Sequence, residues 1–335
     1  MTIFIKYNKK NLIKSIGLCK RFCTYALVIC LVSIINISNS YSQAPNASLT
    51  TSMSDFKGAE LYSTALSHGK FILNLNVYYS CKAFIPLKEH VSLFESMGMR
   101  LSSVQELKKD TEFIQPIPSN ISCFQNNEAC LKKVVYSTLV DVGLAYMDYE
   151  ATWGYCCFDQ GVMNLAIPEK QGIGLTIKLN NPASAALNNT PNLKFLPIHH
   201  LCNKNLTKEK LVFNNIDSDV VEIEMMIPEH FEVAGQSKYN YQPNQVATLD
   251  NINNNPMFVG SFLTNHPPFR KVNYGKEYSL EKPFKVGEIT FIKPMNSIQV
   301  KPESFGKYLL SFTIKEKKND KLISEHPVIL ITEIH

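Results

Sequence analysis

The six cysteines of the chain's body are the residues whose types and spacing offer the most chemistry: Cys81, Cys123, Cys130, Cys156, Cys157 and Cys202. The reactive form of cysteine is the thiolate, whereas an even number of cysteines in an exported chain pairs into disulfides. Six cysteines allow fifteen connectivities, and spacing alone does not choose among them. Strand parity narrows the choice, because neighbouring side chains of a strand point to opposite faces. On that reading Cys156 and Cys157 take separate partners. Cys157 is expected to bond Cys81 and Cys156 to bond Cys202, leaving Cys123 to close a local loop with Cys130. A closed zinc site is not expected, since adjacent thiols diverge and Cys123-x6-Cys130 is wider than zinc-knuckle spacing. His199-His200 lies close to Cys202, but Pro197 precedes it and no carboxylate accompanies it in sequence. It reads as a loop pair, with no metal and no cofactor expected.

Catalytic signatures are lacking. Gly-x-Ser-x-Gly, glycine-rich phosphate loops and His-Glu-x-x-His do not occur. Glu222 and Glu224 are spaced for one face of a strand, and a pair of carboxylates is what a glycosidase uses. A solvated strand face explains them better. Tyr239, Tyr241, Phe258, Phe262 and Phe269 occur in a loop-rich stretch where rings could stack on sugars, although aromatic residues more often pack among themselves. No enzyme is expected from these residues.

The net charge of +5 is unevenly placed. Six of the 34 basic residues fall in residues 1–42, which carry no acidic residue, leaving 28 basic against 29 acidic residues in the body. A nearly neutral body offers no footprint for a phosphate backbone, so nucleic acid is disfavoured. Within residues 1–42 a basic stretch ends at Arg21, and Tyr25–Ile35 follows as an apolar run too short to cross a bilayer comfortably. Small residues at Ser38, Ser40 and Ser42 complete a signal-peptide pattern, with cleavage expected after Ser42. The mature chain is expected to have no transmembrane span and to be exported, to the periplasm, the outer membrane or beyond the cell.

Most of the body alternates with period two. Phe71, Leu73, Leu75, Val77 and Tyr79 interleave with Asn74, Asn76 and Ser80, which predicts one face on a core and one toward water. Similar alternation runs through 147–157, 173–179, 221–227 and 308–314. Val91–Glu95 and Leu101–Leu107 read as strands joined near Gly98. Lys317-Lys-Asn-Asp-Lys321 supplies a turn between the last two strands. Many short strands between Asn, Pro and Gly clusters predict an all-β chain of two consecutive Ig-like or cadherin-like β-sandwiches. The polar break over 180–191 divides them, giving a signal peptide over 1–42, a disulfide-stapled sandwich over 43–189 and a second sandwich over 190–335.

The order of signals resembles the gliding-motility-associated adhesin-like surface proteins of Bacteroidetes. The matching residues are Gly58-Ala-Glu60, Val77-Tyr-Tyr-Ser-Cys81, Cys123 with Cys130, Trp153-Gly-Tyr-Cys-Cys157-Phe and Leu201-Cys202. Phe213-Asn-Asn-Ile-Asp-Ser-Asp219 then looks like the start of a cadherin-like repeat. Ile292-Lys-Pro294 and Pro302-Glu-Ser-Phe-Gly306-Lys-Tyr308 look like the closing strands of a bacterial Ig-like fold. The family's acidic edge is reduced to Asp217 and Asp219, followed by Val220. Calcium takes six to eight oxygens, so calcium binding is expected to be weak or absent. No carboxy-terminal sorting domain is expected after the second sandwich. The resemblance implies a non-catalytic, envelope-exposed interaction module that binds a protein or polysaccharide through loops. The alternative is an exported carbohydrate-active protein.

Overall fold

A computed structural model describes residues 55–96, 100–115, 123, 130–143, 148–179, 190–214, 220–231, 267–292 and 295–335. Residues 1–42, where a signal peptide is expected, Asp217 and Asp219, Tyr239, Tyr241, Phe258 and Phe262, and most of the 180–191 break lie outside the described residues. The strands are β1 (Phe56–Ser67), β2 (Lys70–Ser80), β3 (Lys88–Glu95), β4 (Arg100–Gln115), β5 (Leu131–Asp141), β6 (Tyr149–Tyr155), β7 (Ile173–Leu179), β8 (Asn192–Leu193), β9 (His200–Leu201), β10 (Thr207–Lys210), β11 (Phe213–Asn214), β12 (Val220–Met225), β13 (Gly287–Ile292), β14 (Ser297–Pro302), β15 (Gly306–Lys318) and β16 (Lys321–Ile334). A 3-10 turn at Pro168–Lys170 is the helical element named among the described residues. The chain is all-β.

The large sheet runs β12-β15-β16-β1-β2-β5-β4-β3-β6-β7, with β9 attached to β16; β10-β14-β13 and β11-β8 form two smaller sheets. Every pairing in the main path is antiparallel, whereas β9 joins β16 in parallel. The last hairpin turns at Asn319 and Asp320, both with positive φ (51° and 63°). That is the two-residue geometry whose twist suits a hairpin, and Asn and Asp tolerate it best after glycine.

One sheet crosses the boundary expected at 189/190. Gly58–Glu60 of β1 pair with Val328–Leu330 of β16, and β12 extends the same path. Residues 50–335 form one compact unit. A polar, Asn-rich break marks a loop, but it carries no information about whether the strands on either side pair with each other.

Alternation explains how the sheet serves two cores at once. Ile329 and Ile331 of β16 and Leu309 of β15 join Leu73, Leu75, Val91, Leu93, Trp153, Leu175 and Ile177 in one core. The intervening Val328 and Leu330, with Tyr308, Leu310 and Phe312, join Leu196, Ile198, Phe284, Ile298 and Val300 in the other. The sheet curls until β7 packs against β1 and β16, enclosing the first core. The second core lies between β15–β16 and the three-stranded sheet. Fully burying each such Leu, Ile or Phe side chain stabilises the fold by about 1.5–3 kcal/mol. The face of β2 expected to meet water is covered in part: Asn74 and Ser80 are half-buried, but Asn76 is wholly buried, and its Nδ2 donates to Glu60 Oε2 at 2.9 Å. Alternation predicted the faces, but period-two patterning cannot distinguish water from a buried polar partner.

Candidate functional site at the seam of the sheet

The six body cysteines form three pairs that differ from the parity-based expectation. Cys81 bonds Cys130, Cys123 bonds Cys202 and Cys156 bonds Cys157, with Cα separations of 5.3, 5.6 and 3.0 Å. The first follows from register. Ser80 pairs with Leu131 at the end of the β2–β5 ladder, so Cys81 and Cys130 face each other one step beyond it, and Cys81 N–H donates to Cys130 O at 3.2 Å. The third escapes the parity argument because β6 ends at Tyr155, and Cys156 and Cys157 lie beyond the strand. Cys123 is then left for Cys202.

Glu222 and Glu224 stand on β12 in ion pairs with Lys317 and Lys315, both at 2.8 Å. They are not among the residues lining the cleft. Phe269 is buried and packs at 6.4 Å from Phe231, so it is core rather than platform.

The segment that follows β12 meets the start of β7, where Phe231 N–H also donates to Gly172 O at 3.3 Å. Gly174 of β7 bridges Glu229, four residues past β12, and Gly174 N–H donates to Glu229 O at 2.9 Å. Beside this bridge the seam stays open as a cleft of about 520 Å³, lined among others by Tyr62, Glu150, Thr176, Lys178, Met226, Glu229, Lys271, Thr313 and residues 322–327. Glu229 is held on both oxygens: Thr176 Oγ1 donates to Oε2 at 2.7 Å and Lys271 Nζ lies 3.4 Å from Oε1. Desolvation raises the Glu150 carboxyl above its ordinary range, with Lys178 opposing and the Glu229 charge adding to the rise. Burial also lifts the Tyr62 phenol well above its usual value. Sequence patterning missed this pair because Glu150 and Glu229 are joined only by the meeting of β7 with the segment that follows β12.

Among the described residues, the seam also leaves backbone unpaired. In a strand, alternate residues turn their N–H and C=O groups to the same side. Thr176 and Lys178 therefore face the same way as Gly174, away from β6, and have no backbone partner among the described residues. Thr176 is half-buried and Lys178 exposed.

Two further clusters lie elsewhere. Glu89 Oε2 accepts a hydrogen bond from Trp153 Nε1 at 3.1 Å, and burial pushes its carboxyl up to about 7 against that favourable contact. Phe56, Trp153 and Tyr155 stack beside it at 5.4–6.4 Å. At the other cluster, the parallel pairing of His200 and Leu201 with Glu333 and Ile334 brings a carboxylate to the histidine pair that lacked one in sequence. His200 Nδ1 lies 3.8 Å from Glu333 Oε2 and 3.3 Å from His335 Nε2. Burial, with the neighbouring imidazoles and Lys57 adding to it, lowers His200 to about 3; burial lowers His199 to about 4.

Comparison of the chain with protein-family models, with curated proteins and with solved structures finds no match in any of the three. The class that fold and site define is a disulfide-bonded all-β protein with an open sheet seam. Among the described residues, no helix is long and apolar enough to cross a membrane.

Proposed function

We propose that the chain is an exported, non-catalytic, adhesin-like interaction module of a bacterial envelope, and that it binds an extended segment of a partner protein along the side of β7 that faces away from β6. The observation that carries this reading is the β7 edge at Thr176 and Lys178, in the wall of the seam cleft, which has no backbone partner among the described residues. An added strand gains affinity from main-chain hydrogen bonds and specificity from pockets for alternate side chains. Glu150, Glu229 and Lys271 would supply polar specificity around it. Export agrees with the three cysteine pairs, because disulfides persist in oxidising compartments.

Selection of a random-peptide library against the mature protein tests the proposal. Bound peptides should slow hydrogen exchange at the Thr176 and Lys178 amides, and Lys178→Pro should abolish binding, because proline at an exposed edge removes the donor with little cost to the fold. Peptide binding that leaves those amides unprotected would overturn it. The carbohydrate-active alternative draws on the Glu150 and Glu229 carboxyls that line the same cleft, since glycoside hydrolysis uses a pair of carboxyls. Glycan turnover lost in Glu229→Gln would favour that alternative over the binding module.

A further inference from the structure

The geometry points to a divalent transition-metal site formed by His200, Glu333 and His335, taking an ion of the zinc and copper kind. The three ligand atoms lie within 4.8 Å of one another. Two imidazole nitrogens bound to one zinc at about 2.0–2.1 Å, in tetrahedral arrangement, stand about 3.3–3.4 Å apart. His200 Nδ1 and His335 Nε2 are already 3.3 Å apart. Glu333 Oε2, 3.8 Å from the first and 3.9 Å from the second, needs to move only a few tenths of an ångström toward them to complete three corners.

The backbone holds these groups in place. Glu333 N–H donates to His199 O at 2.9 Å, His335 N–H to Leu201 O at 2.9 Å, and Asn203 N–H to His335 O at 2.8 Å. The Cys123–Cys202 bond anchors the same loop two residues beyond His200. The two oxygens of Glu333 have separate tasks: Lys57 Nζ binds Oε1 at 2.5 Å, which orients the carboxylate and leaves Oε2 toward the imidazoles. Such second contacts fix a ligand's orientation in metal sites. His335 is 39% exposed, so an ion has a way in and a fourth corner stays open to water. Two imidazoles and one carboxylate oxygen suit zinc, copper or nickel far better than calcium or magnesium, which take oxygen ligands.

The test is calorimetric titration of the chelator-treated mature protein with Zn2+, accompanied by visible spectroscopy of the Co2+ form. One equivalent of Zn2+ should bind at about micromolar concentration or below. The Co2+ form should show the intense bands of four-coordinate nitrogen and oxygen ligation. His335→Ala and Glu333→Gln should each weaken binding by about 10–100-fold or more. Glu333→Gln preserves side-chain volume, so it decides the matter if His335→Ala fails to fold. Absence of stoichiometric Zn2+ binding by the unaltered protein, or equal affinity in the folded variants, would overturn the site.

Discussion

His326 Nε2 lies 3.0 Å from Glu60 Oε1, and both side chains are almost wholly out of solvent although 266 positions apart in sequence. The same carboxylate accepts the Leu193 N–H and Asn76 Nδ2, each at 2.9 Å. Lys133 closes the group by donating to Leu193 O at 2.8 Å; burial lowers its ammonium pKa while the Glu60 charge opposes that shift. One side chain thereby joins β1, β2, β8 and β16.

Glu60→Ala should therefore be among the most damaging single changes in the protein. Removing one partner of a buried, hydrogen-bonded polar group costs about 3–5 kcal/mol, because the others remain buried without compensation. Urea unfolding measures it. A loss below about 1 kcal/mol, the scale of an exposed pair, would contradict this account.

The outward pairs on β12 give the opposite expectation. Glu222→Gln and Glu224→Gln each lose one partly exposed lysine contact, so stability should change by no more than about 1 kcal/mol. The same urea measurement, repeated at high salt, should show the difference shrinking further.

Non-reducing peptide mapping should recover a Cys81–Cys130 peptide and a Cys123–Cys202 peptide, with Cys156 and Cys157 together on one unlinked fragment. Replacing Cys123 and Cys202 by Ala should cost about 2–5 kcal/mol. A Cys123–Cys130 peptide would contradict the pairing.

Glu89 should make stability fall as pH rises through the acid-to-neutral range. Its carboxyl titrates near 7 when folded against an ordinary 4.5, so between those values the folded chain binds more protons than the unfolded one. Stability declines with pH wherever the native state holds the extra proton. Glu89→Gln should flatten the melting-temperature profile across that window; an unchanged slope would show that another group carries it.

Several strands with one apolar face were legible in the sequence, whereas β1, β5 and β14, which also bury apolar side chains, were not. β2, β7, β12 and the final hairpin fall close to where alternation and turn residues put them, while β3 begins three residues before the expected Val91 and β4 runs on to Gln115, well past the expected Leu107. Long-range partnership was not legible. Nothing local at Glu60 announces His326, nothing near His200 announces Glu333, and nothing near Glu150 announces Glu229. Each pair is made by strand order, which depends on the whole set of pairings. The vicinal cysteines show the complementary limit: parity is sound inside a strand and silent one residue past its end.

The pairing of β1 with β16 sets an order of events for a chain made from its amino terminus. Until residues 328–330 have been synthesised, Gly58–Glu60 have β2 on one side and an open edge on the other, and the Glu60 carboxylate has no His326 to meet. An open edge is a template for pairing with other chains, and contacts of such long sequence separation form slowly. Early-made segments of this protein therefore need shielding during biogenesis, and a nascent chain halted before β16 is the form most exposed to aggregation.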